Sequence, residues 1–388
     1  MTKALLFLTC LFAAGSGFSQ RPVGIFEDHM DIGHPKLAGD ASYDTSTQIY
    51  TIRGAGDNIW FNRDEFQFVY KKISGDFILT ADFAFTGDTA GATGHRKIGW
   101  MIRESADEGA ASANACKHID GLVVLQWRPY RGMFMRDPEE EHFYPKKGGQ
   151  TIRLERIGKT ITMKIAHPGE PLQLVGTCET DALQKDVLVG LYICSHDSNH
   201  VANAKVWNVR IDKPVIHEYT SNPHVVQPAT HDVLGSRLEI VDIVDGTRKV
   251  IQETPGRFGA PGYTDAPASS AQGKFIYYNA NVSGTMQIWR MHSDGTNKEQ
   301  LTFDEYHNWF PHVSPDGKWM VFLSYPMDIN PDEHPSYKDV MLRLLPLTAP
   351  GGPRVIAYLY GGQGTLHAPS WSPDSRHIAF VSNSEPIH

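Results

Sequence analysis

Pro311-His-Val-Ser-Pro-Asp-Gly-Lys-Trp-Met-Val-Phe-Leu-Ser324 recurs as Pro369-Ser-Trp-Ser-Pro-Asp-Ser-Arg-His-Ile-Ala-Phe-Val-Ser382, and a degenerate copy runs from Pro267 to Asn279. The physics of the unit is local. Ser-Pro-Asp-Gly closes a tight turn, with Pro where φ near −65° is wanted and Gly where φ is positive. The strand after it alternates apolar and polar residues, so it half-buries itself. Met286-Gln-Ile-Trp-Arg-Met291 and the turn Ser293-Asp-Gly-Thr296 add outer strands. Each unit is a small antiparallel sheet that needs neighbours to cover its faces.

These residues resemble the PD40 (WD40-like) repeats of TolB-type β-propellers. The resemblance rests on Ser293-Asp-Gly-Thr-Asn-Lys-Glu-Gln-Leu-Thr302 followed by Ser314-Pro-Asp-Gly317, and on Ala368-Pro-Ser-Trp-Ser-Pro-Asp-Ser375. It implies propeller blades over residues 236–388. Ser236–Thr247 looks like the outer strands of a blade whose inner strands are Trp371–Ser382. At about 40–45 residues per blade, the stretch holds three to four blades, where relatives of this kind look six-bladed. The expectation is an incomplete propeller: an open stack, or a half-ring that associates with itself or a protein partner. Undercounting of degenerate blades is the alternative.

Before residue 214 the chain reads as strands. Asp76–Phe85, Lys97–Arg103, Gly121–Arg128, Gln150–Arg156, Thr160–Ile165 and Ala204–Ile211 alternate, are rich in β-formers and are bounded by Gly, Pro, Asp or Asn. Ile157-Gly-Lys159 is a hairpin turn, and no twelve-residue stretch carries a helical period. About 190 residues of this kind suit a two-sheet sandwich. Strand parity puts Val123, Leu125 and Trp127 on one face, with Gln126 and Arg128 on the other. One sheet is thus expected to present Arg103, Gln126, Arg128 and Arg136 together, near Trp60, Tyr130 or Phe134. Planar aromatics and forked donors suit sugars or carboxylated sugars; an ordinary polar outer face fits the same pattern.

Gly99-Trp-Met-Ile-Arg-Glu-Ser105, Asp120-Gly-Leu122, Gln126-Trp-Arg128 and Val206-Trp-Asn-Val-Arg210 resemble concanavalin A-like (LamG or DUF1349-like) jelly-roll modules over roughly residues 23–213. The resemblance implies a jelly roll attached to carbohydrate-related proteins. The Glu-x-Asp-x-x-Glu strand that glycosidases of that fold carry does not occur here.

Met1-Thr-Lys3, the apolar run Ala4–Ala14 and small residues before Gln20 read as a secretory signal over residues 1–19. The mature chain divides into a sandwich at 20–213, a linker at 214–235 and repeats at 236–388, in a periplasmic or secreted bacterial setting. A net charge of −8 argues against a general nucleic-acid binder, which needs a cationic face, and no later segment is apolar enough to span a membrane. Cys116, Cys178 and Cys194 allow one disulfide with one thiol left over, or three buried thiols. Four acids in Asp137-Pro-Glu-Glu-Glu141 read as a solvated loop.

His307-Asn-Trp-Phe-Pro-His312 and Gln363-Gly-Thr-Leu-His-Ala-Pro369 each precede an inner blade strand. Propeller loops there face the central opening, so His307, Asn308, Gln363 and His367 are expected to converge. The resemblance adds that propeller polysaccharide lyases hold a divalent metal with such side chains. Imidazole and amide oxygen suit Mn²⁺ or a similar ion, while structural histidines explain the pattern equally simply; no other cofactor is indicated. Asp328–Asp339 only echoes a calcium loop, because Glu333 stands where Gly is required. No Gly-x-Ser-x-Gly, His-Glu-x-x-His or P-loop occurs. The leading expectation is an exported, all-β, two-module binding protein for glycans or similar polar ligands; a carbohydrate-active enzyme is the alternative.

Overall fold

The computed structural model describes residues 22–87, 94–136, 139–214, 235–241, 248–255, 264–269, 273–282, 284–366 and 371–383. The signal segment and almost all of the expected linker lie outside these residues, as does His367. The chain is nearly all β; the one helical turn among the described residues is 3-10, at Asp181–Leu183.

Fourteen strands fall before residue 214: β1 (Asp28–Ile32), β2 (Asp40–Asp44), β3 (Ile49–Gly54), β4 (Phe66–Ile73), β5 (Phe77–Thr86), β6 (Lys97–Arg103), β7 (Ser112–His118), β8 (Val123–Arg128), β9 (Glu141–Phe143), β10 (Thr151–Ile157), β11 (Thr160–Ala166), β12 (Gln173–Glu179), β13 (Val187–Cys194) and β14 (Ala202–Asp212). They form two seven-stranded antiparallel sheets, ordered β1-β4-β13-β6-β7-β8-β9 and β12-β11-β10-β5-β14-β3-β2. Each strand predicted from alternation falls in one of them. The β10–β11 hairpin closes with Ile157 opposite Thr160, and Gly158 takes the positive φ (+58°) that the turn demands.

Alternation decides what lies between the sheets. Ile98, Trp100 and Ile102 of β6 and Val123, Leu125 and Trp127 of β8 face Leu79, Phe83, Ile152, Leu154 and Ile161 of the other sheet. Full burial of each such side chain contributes about 1.5–3 kcal/mol. The Trp100 indole would be an unmet donor in this dry layer; its Nε1 crosses it and donates to the Ile152 carbonyl at 3.2 Å. Cys116, Cys178 and Cys194 are free and buried, which settles the alternatives in favour of three thiols.

Beyond residue 234 the strands are β15 (Gly235–Val241), β16 (Arg248–Pro255), β17 (Thr264–Ser269), β18 (Phe275–Asn281), β19 (Met286–His292), β20 (Glu299–Gln300), β21 (His307–Val313), β22 (Trp319–Tyr325), β23 (Ser336–Pro346) and β24 (Arg354–Gly362). They make two four-stranded sheets, β17–β20 and β21–β24, and one two-stranded sheet, β15–β16. The repeated turn is built twice from the same bonds. Gly317 N donates to Ser314 O and Ser314 Oγ to Asp316; Ser375 N donates to Ser372 O and Ser372 Oγ to Asp374. Gly317 has φ +71°, and Ser375 occupies the equivalent left-handed position at +60°, which costs a non-glycine residue about 1–2 kcal/mol.

The expected pairing of Ser236–Thr247 with Trp371–Ser382 is not what the structure has. Gly235–Val241 pairs with Arg248–Pro255, and among the described residues 371–383 carry only the bridge Trp371–Ile378. A hairpin partner six residues away is reached at far lower loop-closure entropy than one across the chain. The sheet containing β23 and β24 packs on the outer face of the second sandwich sheet. Arg153 Nη2 meets Asp339 at 3.1 Å, Asn208 Nδ2 donates to the Tyr306 hydroxyl, and Arg210 lies over the Tyr358 ring.

Candidate functional site

The outer face of the first sandwich sheet carries Lys97 and Arg103 of β6, Ser112, Asn114 and His118 of β7, Gln126 and Arg128 of β8, and Tyr192 of β13. Strand parity sends them away from the core, yet all are buried. The cover is a set of loops laced together by backbone bonds: Asp64 N to Glu108 O, Gly132 N to Gly109 O, and Met135 N to Phe61 O.

Asp64 is the pin of that cover. Arg128 grips it with two parallel bonds, Nη1 to Oδ2 at 2.8 Å and Nη2 to Oδ1 at 2.7 Å, and Arg103 Nη1 reaches Oδ2 at 3.2 Å. None of the three side chains reaches solvent. Two cations share one carboxylate, and the remaining donors go to carbonyls. Arg103 takes those of Ser105 and Asp107; Arg128 takes those of Met133, Ala110, Trp60 and Phe61. Burial draws the Arg103 pKa down and Asp64 opposes that pull. Without these bonds the desolvation of three charges would not be offset.

Arg128 therefore ties the 57–65 loop to the 129–136 loop, and the tie builds a surface. Phe61 is held at φ +21°, a costly conformation for an aromatic residue. Its ring meets that of Phe134, centroids 5.1 Å apart. Phe61 is 48% exposed, Phe134 53% and Tyr130 63%. Arg136 borders them, bonded to both Glu140 oxygens, and that contact lowers the Glu140 pKa. Arg131 borders them too, within 3.6 Å of Asp107 and 3.9 Å of Glu104.

The expected ligand set thus splits by depth. Arg103, Gln126 and Arg128 do share a face, but beneath cover rather than presented. Gln126 bridges Glu141 (3.1 Å) and Lys97 (3.5 Å). Trp60 is half-buried, with its carbonyl held by Arg128. Tyr130 and Arg136 stand at the surface. The acidic run is not wholly solvated either, because Glu140 and Glu141 are buried against Arg136 and Gln126. Sequence reasoning missed Asp64, Phe61, Lys97 and His118. Lys97 shares parity with Arg103 and was findable that way; Asp64 sits in a loop whose path no local signal gives.

In the repeat half, the expected convergence on a central opening does not form among the described residues. His307 is buried and its Nδ1 faces the Met286 amide at 3.4 Å; burial lowers its pKa. Asn308, next on β21, points to the other side, where Nδ2 donates to Gln287 at 3.0 Å and Oδ1 accepts from Ser324 at 2.6 Å. Gln363 is exposed, with its backbone tied to Pro335. His367 lies outside the described residues. Asp339, the last acid of the calcium-like stretch, pairs with Arg153. Among the described residues no group of three or more His, Cys, Asp or Glu has the geometry to hold a metal, and no helix is long and apolar enough to cross a membrane.

No family model matches the chain. An uncharacterized protein of Agrobacterium fabrum is 42% identical over 120 residues, 31% of this chain; the match spans 40% of that relative's length. Similar solved structures include a TolB-type protein from Agrobacterium tumefaciens (20% identity, 76% of this chain and all of that one, TM-score 0.34). An alginate lyase from Klebsiella pneumoniae matches over 46% of this chain and 85% of its own, at 11% identity and TM-score 0.30. TolB from Acinetobacter baumannii matches over 75% and 58%, at 13% identity and TM-score 0.27. Scores of this size carry no argument about function.

Proposed function

We propose that the protein is an exported binding protein that takes a glycan on the exposed aromatic rim Phe61–Tyr130–Phe134. The observation that carries the reading is that a fully buried arginine–carboxylate cluster ties together the two loops that carry three exposed aromatic residues, with the Phe61 and Phe134 rings 5.1 Å apart and Arg131 and Arg136 on the same loop as Tyr130 and Phe134. Rings held in advance lose little entropy on binding, and their faces suit the C–H side of a sugar. Arg131 and Arg136 are already neutralised by carboxylates, so their free N–H groups favour hydroxyls over an acidic substituent. A neutral glycan fits better than a carboxylated one. Export rests on the secretory pattern of residues 1–19. A protein-contact role for the repeats is supported by exposed apolar side chains there, among them Phe303, 77% exposed, and Val381.

The test is a glycan array probed with the full chain and with Phe61→Ala, Tyr130→Ala and Phe134→Ala. All three side chains are exposed, so the variants should fold. Binding of a neutral glycan at least about tenfold weaker in Phe134→Ala than in the parent supports the reading. An empty array, or a signal the three substitutions leave untouched, refutes it.

A further inference from the structure

At the other end of the same sheet face lies a group of side chains that the aromatic rim does not use. His118 ends β7 and is 5% exposed, and among the described residues neither of its ring nitrogens has a hydrogen-bond partner. Leaving one such buried group unmet costs about 1–3 kcal/mol, and an imidazole carries both a donor and an acceptor site. Two further imidazoles approach from separate segments. The His95 ring, just before β6, is 5.6 Å from His118 between centroids; the His196 ring, just after β13, is 5.3 Å from His95. Behind them stands Lys97, paired with His118 across β6 and β7. Its ammonium is buried and its bonds among the described residues go to neutral acceptors: Asn58 Oδ1 at 3.0 Å, Ile59 O at 3.2 Å and Gln126 Oε1 at 3.5 Å. The Gln126 amide that Lys97 meets is held at its other end by the buried Glu141 carboxylate, 3.1 Å from Nε2, while Asp57 and Asp120 near the imidazoles are on exposed residues.

We propose that His95, His118 and His196, backed by Lys97, form a binding site for a small oxyanion, a carboxylate or phosphate group. Three imidazoles offer N–H donors from three directions, and the buried ammonium adds a positive charge on the histidine side, with Glu141 set behind the Gln126 amide. The same charge disfavours a metal, and the rings lack metal-holding geometry. Burial and Lys97 both hold His118 neutral, its pKa lowered to about 3, so its N–H donates as a dipole and not as a second cation. The site is independent of the glycan reading. It sits at the Lys97 end of β6 and the aromatic rim at the Arg103 end, roughly 20 Å away at ~3.3 Å per residue.

The full chain, labelled with ¹⁵N in histidine, would be titrated with inorganic phosphate and separately with acetate at constant ionic strength. Saturable shifts of the His95, His118 and His196 ring nitrogens, with His142 unmoved, are expected. The acid that saturates first identifies the ligand class. His95→Ala removes an exposed ring and leaves the fold intact; it should weaken binding about tenfold or more, and His118→Ala should abolish it. Absent or non-saturating shifts, binding unchanged in His95→Ala, or saturation by Zn²⁺ or Mn²⁺ in place of an anion would overturn the proposal.

Discussion

The side-chain amide of Gln48 lies against the backbone of Val355 as a strand partner would. Its Nε2 donates to the Val355 carbonyl and its Oε1 accepts the Val355 N–H, both at 2.6 Å. The pair joins the β2–β3 turn of the sandwich to β24 of the repeats, 307 residues on. Gln48 takes φ +57° to reach it.

Gln48→Ala should therefore loosen the contact between the two halves. Two net hydrogen bonds predict a loss of about 1–3 kcal/mol in chemical unfolding. Gln48→Gly should cost less than Gln48→Ala, because glycine relieves the left-handed backbone. Hydrogen exchange read at the Val355 amide gives the local check: faster exchange is expected in both variants. An unchanged Val355 amide would show that the bonds do not hold β24 in place.

Burial also sets thiol chemistry. Desolvation raises the Cys116 and Cys194 pKa values to about 11 and that of Cys178 to about 12. The thiolate is the reactive form, so all three should resist a thiol-specific reagent at pH 8 in the native protein and react at once in denaturant. Peptide mapping after alkylation reads this directly. Native-state labelling of any of the three would contradict the burial described here.

The strands were readable because they are local. The alternating run Lys97–Arg103 coincides with β6, and Gln126 and Arg128 lie on the outward face that parity assigns them. What parity does not tell is whether an outward face meets water. Here the 57–65 and 129–136 loops close over it, and the residue that makes this favourable, Asp64, is 39 positions from Arg103 and 64 from Arg128. Contacts at that separation leave no periodic trace. The repeat turns were legible down to the glycine of Ser-Pro-Asp-Gly, whereas the pairing of Ser236–Thr247 was not, because a turn motif fixes its own strand and not the partner. His307 and Asn308 failed to converge for a simple reason: adjacent residues on a strand point to opposite faces.

Acid should probe His118. Its pKa falls from the ordinary 6.5 to about 3, chiefly through burial, then Lys97, with Asp120 opposing and His95 and His196 adding to the depression. The His196 pKa is lowered for the same first two reasons. Below pH 6.5 the unfolded chain binds protons that the folded chain does not, so the stabilising contribution is full above pH 6.5 and is lost as pH falls toward 3. The urea midpoint should decline between about pH 6.5 and 4.5, before most carboxylates titrate. His118→Gln should flatten that decline and leave a shallower slope from His196. A parent protein whose midpoint is constant over this interval would show that His118 is not buried neutral.

Asp64 gives the sharpest test of how the site is made. Asp64→Asn keeps the volume and some acceptor capacity but leaves two guanidinium groups buried with no counter-charge. Breaking a buried pair in this way typically costs about 3–5 kcal/mol, and here one carboxylate serves two cations, so the upper part of that range is expected in urea unfolding. Arg128→Lys should be nearly as damaging although it conserves charge, because an ammonium cannot span both Asp64 oxygens and four carbonyls. The two substitutions should also free the 57–65 loop, so that Phe61 leaves the strained φ that sets its ring against Phe134. Fluorescence of Trp60, whose carbonyl Arg128 holds, should shift toward that of an exposed indole at denaturant concentrations well below global unfolding. Arg136→Ala supplies the contrast: that side chain is exposed, and the buried Glu140 it leaves behind keeps its bond from the Arg136 amide, so the loss should be about 1–3 kcal/mol, below that of Arg128→Lys, and Trp60 should stay where it is. Equal losses for Arg136→Ala and Arg128→Lys would mean that the buried cluster does not position the aromatic rim.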